Sequence, residues 1–205
     1  MKILLVDDHA IVRSGLRRLL ATLAHAEIIE AANGRDALSM ARAERPDLVM
    51  LDLNLPGLGG IELIRRLAQE ERPTRVLVLS MHAEPLYAVR ALEAGATGYL
   101  SKNVSPEELL SAVNRVAAGG RYVEGEIAQA MAVQVATAGQ PLDRLSTRDL
   151  EIMRLLADGH SLAEIAEALG IGYKTVANTL SQIKAKLGVS RTADLVRVAV
   201  ESGVS

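Results

Sequence analysis

Apolar and polar positions along the first 120 residues alternate between two periods. Short β-rich runs, Lys2–Val6, Glu27–Ala31, Leu48–Leu51, Arg75–Leu79 and Thr97–Leu100, read as strands. Between them, segments near 10–23, 35–44, 59–70, 85–94 and 106–118 carry apolar residues at helical spacing. Ser105-Pro106-Glu107-Glu108 is a helix start, with a capping hydroxyl, a proline and acids in the first turn, and Gly34, Gly95, Gly119 and Gly120 punctuate helix ends. Several strands, such as Val76–Leu79, are unbroken apolar runs, as expected of parallel strands covered on both faces. The expected fold of 1–120 is α/β, a doubly wound five-stranded parallel sheet.

The pattern changes after 120. Val123 to Ala138 is rich in Ala, Val and Gln, and the segment 121–140 reads as a linker, either helical or a flexible tether. Pro141 marks a boundary. Four short helical patterns follow, 146–157, 161–168, 172–187 and 191–202, with no strand among them, so 141–205 is expected to be a small all-α domain.

Composition narrows the class. Nearly half of the 205 residues are apolar and the net charge is −2, the profile of a soluble globular protein. No apolar run approaches a membrane span, and the apolar start Ile3–Val6 runs into Asp7-Asp8, which does not suit a signal peptide, so a cytoplasmic location is expected. With no cysteine, disulfide frameworks and thiolate metal sites are excluded. Residues 1–120 hold 14 Lys+Arg against 15 Asp+Glu and residues 141–205 hold 8 of each, so neither part is basic overall. Any nucleic-acid reading has to come from local arrangement.

In an open parallel sheet the functional crevice lies at the carboxyl ends of the strands. Strand 1 ends in Asp7-Asp8, strand 3 in Asp52, strand 4 in Ser80, and Lys102 follows strand 5. Three carboxylates, a hydroxyl and an ammonium therefore converge. Clustered carboxylates repel unless a cation lies between them, and Mg²⁺ suits an oxygen-only ligand set. Such a site accommodates an incoming phosphoryl group, with a carboxylate as covalent acceptor. Asp52, alone at the centre and followed by Leu53-Asn54-Leu55-Pro56-Gly57, is the expected acceptor. His9, His25, His82 and His160 are too scattered for a metal cluster and are expected to face solvent or cap helices. A dinucleotide fold would want a glycine-rich turn where Asp7-Asp8-His9-Ala10 stands.

These motifs carry a resemblance. Leu5-Val6-Asp7-Asp8-His9, Asp52-Leu53-Asn54-Leu55-Pro56-Gly57 and Gly95-Ala96-Thr97-Gly98-Tyr99-Leu100-Ser101-Lys102 resemble a flavodoxin-like response-regulator receiver domain. Asp7-Asp8-His9 with Arg13 and Gly15-Leu16 is similar to the NarL/FixJ branch. The resemblance implies that Asp7, Asp8, Asp52 and the Asn54 backbone carbonyl hold Mg²⁺. It implies that Asp52 accepts the phosphoryl group, that Ser80 bonds a phosphoryl oxygen and that Lys102 pairs with it. Tyr99 is implied as an aromatic switch, together with Ser80. A sensor histidine kinase is the implied partner, and no catalysis is implied beyond the receiver's own phosphotransfer and dephosphorylation. Asn103 stands where many receivers carry proline, and Ser80 where many carry threonine.

The helical part gives a helix at 161–168, the turn Leu169-Gly170-Ile171 and a second helix. In that second helix Val176, Leu180, Ile183 and Leu187 form a core stripe. The opposite face offers Lys174, Asn178, Ser181 and Ala185, flanked by Ala177 and Gln182, small enough for close approach to a major groove. Acids are absent from Ala168 to Ala193, whereas Lys174, Lys184, Lys186 and Arg191 fall there, a local +4. Pattern alone leaves a protein-binding helical bundle open.

Leu145–Glu151, Ile165–Ile171, Lys174-Thr175-Val176 and Lys186–Ser190 resemble the LuxR-type helix-turn-helix. The resemblance implies a transcription factor binding double-stranded promoter DNA, dimeric on phosphorylation, with Lys174, Thr175, Ala177, Asn178, Ser181, Gln182, Lys184 and Arg191 at the DNA. The departures lie on that surface. Leu162-Ala163 replace the usual Asn-Lys, Ala177 a usual Lys, Thr179 a His, and Gly172 a capping Ser. The expectation is weaker DNA binding per monomer with a shallow salt dependence. A phosphorylation-gated protein-interaction module is the alternative.

Overall fold

The computed structural model describes residues 1–81, 85–136, 142 and 145–202. His82 and residues 137–141 lie outside the described residues. The chain divides into two compact units, Met1–Ala132 and Val133–Ser205.

In the first unit, strands β1 (Lys2–Val6), β2 (Glu27–Ala31), β3 (Leu48–Leu51), β4 (Arg75–Ser80) and β5 (Gly98–Ser101) alternate with α1 (Ala10–Leu20), α2 (Gly34–Glu44), α3 (Gly60–Ala68), α4 (Pro85–Glu93) and α5 (Pro106–Ala117). All strand pairs are parallel, in the order β2-β1-β3-β4-β5-β6. The sheet thus has six strands rather than the expected five. The addition, β6 (Tyr122–Val123), is two residues long, too short to leave a period in the sequence. It lies at the start of the expected linker and is followed by α6 (Gly125–Ala136), so the described part of that segment is strand and helix.

Every residue of β3, and all of β1 after Lys2, is buried, which is why these strands read as continuous apolar runs. Ile3, Leu5, Leu48, Met50, Leu77, Leu79 and Leu100 of the sheet pack with Leu109, Val113 and Val116 of α5. Ser105 caps α5 as its sequence predicts, accepting a bond from the Glu108 amide at 3.1 Å, and Asn33 caps α2 through the Asp36 amide at 3.0 Å.

The second unit contains α7 (Thr147–Ala157), α8 (Leu162–Ala168), α9 (Tyr173–Leu187) and α10 (Thr192–Glu201), and no strand among its described residues. Ser146 with Asp149, and Ser161 with Glu164, form reciprocal capping boxes that start α7 and α8. Val176, Leu180 and Ile183 of the predicted stripe are buried with Leu150, Ile152, Ile165 and Leu195. Arg148 bonds the Leu169 carbonyl at 2.8 Å and so pins the α8–α9 turn to α7. Gly172 begins α9 with no side-chain cap bond, as its lack of a hydroxyl predicts.

Candidate functional site

The carboxyl ends of β1, β3, β4 and β5 bring the predicted acidic residues together. Parallel pairing in register, Val6 with Leu51 and Ser80 with Ser101, brings the residues that follow each strand to one edge. Asp7 and Asp52 are 1% and 4% exposed, and Ser80 and Tyr99 are fully buried. Asp8 stays at the rim. The Lys102 ammonium donates to Asp7 Oδ2 at 2.7 Å and to Asp52 Oδ2 at 2.6 Å, so one cation bridges two buried carboxylates.

The backbone fixes this geometry from several sides. The Asp52 amide donates to the Val6 carbonyl at 2.9 Å and the Lys102 amide to the Ser80 carbonyl at 2.8 Å. The Asn54 amide donates to Asp52 Oδ1 at 3.1 Å, and the His9 amide to Asp7 Oδ1 at 2.7 Å. Arg13 bonds the Asp7 carbonyl at 2.7 Å and reaches Glu30, tying the loop after β1 to β2.

Burial raises the Asp52 carboxyl above its ordinary range, and the neighbouring Asp7 charge adds to this; the Lys102 bond opposes both without cancelling them. For Lys102 burial acts downwards, but the bonds to Asp52 and Asp7 outweigh it and raise its pKa. Its ammonium is therefore charged at neutral pH.

Asp7, Asp8, His9 and Asp52 each offer a ligand atom, and all four atoms lie within 4.8 Å of one another. Three of the four are carboxylate oxygens, which suits a hard divalent cation. His9 faces solvent at the N-cap position of α1, as the sequence reading expects, and its Nδ1 lies 2.7 Å from Asp8 Oδ1 at the rim of this group. His160 instead places Nδ1 3.1 Å from the Leu155 carbonyl at the end of α7.

In the second unit, Lys174, Thr175, Asn178, Ser181, Gln182 and Ala185 are exposed and Ala177 and Lys184 half-buried, so one face of α9 carries the predicted residues. Ser181 donates its hydroxyl to the Ala177 carbonyl at 3.1 Å. The local +4 is smaller than the sequence suggests. Lys186 Nζ lies 2.5 Å from Asp149 Oδ2, and Arg191 makes two bonds of 3.1 Å to Asp194. Both acids lie outside the acid-free stretch in sequence but fold back onto it. Lys174 and Lys184 have no ion pair among the described residues. Tyr173, missed by the charge pattern, is an exposed aromatic at the start of α9.

Comparison with known proteins agrees with both units. Residues 3–114 match the family model described as "Response regulator receiver domain", and residues 143–199 match "Bacterial regulatory proteins, luxR family". The transcriptional activator protein ExaE of Pseudomonas putida is 42% identical over all of this chain and 98% of its own length. The response regulator GacA of Pseudomonas aeruginosa is 35% identical over all of this chain and 97% of its own. A solved LuxR-family two-component response regulator from Aurantimonas sp. SI85-9A1 is 41% identical, with a TM-score of 0.63 over 66% of this chain and 97% of that one. No helix among the described residues is long and apolar enough to cross a membrane. The chain belongs to the NarL/FixJ family of response regulators, with a receiver domain followed by a LuxR-type DNA-binding domain that makes it a regulator of transcription.

Proposed function

We propose that Asp52 accepts a phosphoryl group from a sensor histidine kinase and that its phosphorylation controls promoter binding by α8 and α9. The observation that carries this reading is the Lys102 bridge between Asp7 and Asp52 in a buried pocket at the strand ends. An Asp52 carboxylate oxygen attacks phosphorus as the phosphorus–nitrogen bond of the kinase phosphohistidine breaks, and the released imidazole takes up a proton. Asp7, Asp8, Asp52 and the Asn54 carbonyl would hold Mg²⁺, which when bound supplies charge neutralisation for the phosphoryl oxygens. Lys102 neutralises the charge left on Asp7 and follows the phosphoryl oxygens, while the Ser80 hydroxyl donates to one of them. Tyr99 and Ser80, buried on adjacent strands, carry the change to the face around α4 and β5. The phosphoacceptor role falls to residues 1–120, whose sheet β6 completes, and the DNA-binding role to 141–205. The protein acts in the cytoplasm, and its only catalysis is phosphotransfer to itself and hydrolysis of its own acyl phosphate.

At the DNA, Lys174, Thr175, Ala177, Asn178, Ser181, Gln182, Lys184 and Arg191 form the contact face of a homodimer. With Lys186 held by Asp149 and Arg191 shared with Asp194, few cations per monomer remain for phosphates. A log–log salt titration of the phosphorylated protein on its best-bound genomic fragment should give a slope no steeper than about −5, corresponding to two or three phosphate contacts per monomer. Phosphorylation should tighten binding to that fragment, and Asp52→Asn should not respond. A slope near −10 would contradict the reduced basic face. Binding that ignores the phosphodonor would contradict gating, and the absence of any specific fragment would favour a protein-interaction module.

A further inference from the structure

The segment after α5 does not leave the sheet at once. Tyr122 and Val123 pair with Gly98 and Tyr99, the Tyr122 amide donating to the Thr97 carbonyl at 3.2 Å and the Glu124 amide to the Tyr99 carbonyl at 3.1 Å. The next bond of this parallel ladder would run from the Ser101 amide to the Glu124 carbonyl. That carbonyl instead turns to the Ala128 amide, accepting from it at 2.9 Å, and so opens α6. The Glu124 side chain takes its place: the Ser101 amide donates to Glu124 Oε2 at 2.7 Å. The Tyr122 hydroxyl donates to Glu108 Oε1 at 2.9 Å and holds β6 against α5 as well.

Ser101 directly precedes Lys102. The Lys102 amide is fixed on one side by the Ser80 carbonyl, and the Ser101 amide on the other side by Glu124. The geometry points to Glu124 as a positioning residue for Lys102, one that fixes the base of the lysine side chain and at the same time forms the first turn of α6. Because its carboxylate grips β5 and its carbonyl starts the helix, a displacement of Lys102 towards a phosphoryl group on Asp52 shifts Ser101, and with it the helix start. Glu124 thus links the pocket to the segment leading out of the receiver. This inference rests on reading Asp52 as the phosphoryl acceptor with Lys102 as its partner.

The test uses the full chain with acetyl phosphate and Mg²⁺, following the phosphorylated fraction by intact mass at varied donor concentration. Glu124→Ala should lower the rate at saturating donor by roughly 10-fold, the scale of one lost positioning bond, and leave the half-saturating concentration unchanged. Glu124→Gln, whose amide oxygen can still accept from Ser101, should recover most of that rate. In wild type, phosphorylation should change amide exchange at Ser101 and at 125–128 together. Wild-type rates in Glu124→Ala, or a Ser101 exchange change without one at 125–128, would overturn the inference. A wild type that acquires no phosphoryl group would overturn the reading of the pocket itself, and this inference with it.

Discussion

Lys102→Ala should destabilise the metal-free receiver by about 3 kcal/mol at neutral pH, the lower end for breaking a buried ion pair by removing one partner. The lysine neutralises Asp7 and Asp52 together, at 2.7 and 2.6 Å, and both acids are almost wholly buried. Without it two carboxylates face each other with no cation between them. The pH dependence follows from Asp52, whose carboxyl is already raised by burial and would rise further. A carboxyl raised in the folded state contributes stability that is fully present below its unfolded pKa and is lost as pH rises through the folded value. The deficit of Lys102→Ala should therefore be largest at neutral pH and shrink as the solution is acidified towards the ordinary carboxylate range. Mg²⁺ should restore part of it, since a cation that binds only the folded state stabilises by mass action. Urea midpoints across pH, with and without Mg²⁺, measure this. A deficit independent of pH and Mg²⁺ would show that the lysine acts through packing and not through its charge.

Gly60→Ala should cost about 3 kcal/mol, the upper range of overpacking, because the atoms in the way are backbone. A Cβ at Gly60 would lie 2.6 Å from Leu53 Cα, 2.9 Å from the Leu53 oxygen and 3.0 Å from the Asp52 oxygen. The first turn of α3 presses directly on the chain behind the acceptor, and the Gly60 amide bonds the Leu53 carbonyl at 3.2 Å. Relief requires moving Asp52 itself, so the increase in stability on adding Mg²⁺ should shrink in this variant. Gly57 supplies the control. It has φ of 76° and no atom near its Cβ position, so Gly57→Ala should cost only the ~1–2 kcal/mol of a left-handed backbone and leave the metal response intact. Thermal melts with and without Mg²⁺ separate the two; equal metal responses in both variants would contradict the placement of α3 behind Asp52.

β1 and β3 were legible to the residue because burial on both faces leaves apolar runs, and β2 was legible through its β-branched Ile28-Ile29 although only Ala31 of it is buried. Asp7, Asp52 and Lys102 were legible because strand ends are where such a sheet gathers polar groups. What escaped the sequence was pairing across distance. Asp149 sits 37 residues from Lys186 and belongs to a capping box, so the charge count along α9 overstated its basic surface. Gly60 gave no signal because its requirement is another segment's backbone, not its own φ. Glu124 lay in a stretch read as linker, and only the β5–β6 ladder shows what its carboxylate replaces.

The central claim is that Asp52 carries the switch. Intact mass after incubation with a small phosphodonor and Mg²⁺ tests it most directly, on wild type and on Asp52→Asn. Wild type should gain one phosphoryl group and Asp52→Asn none, while folding as well as wild type by thermal melt. An adduct of the same mass that survives the substitution would remove Asp52 from the mechanism.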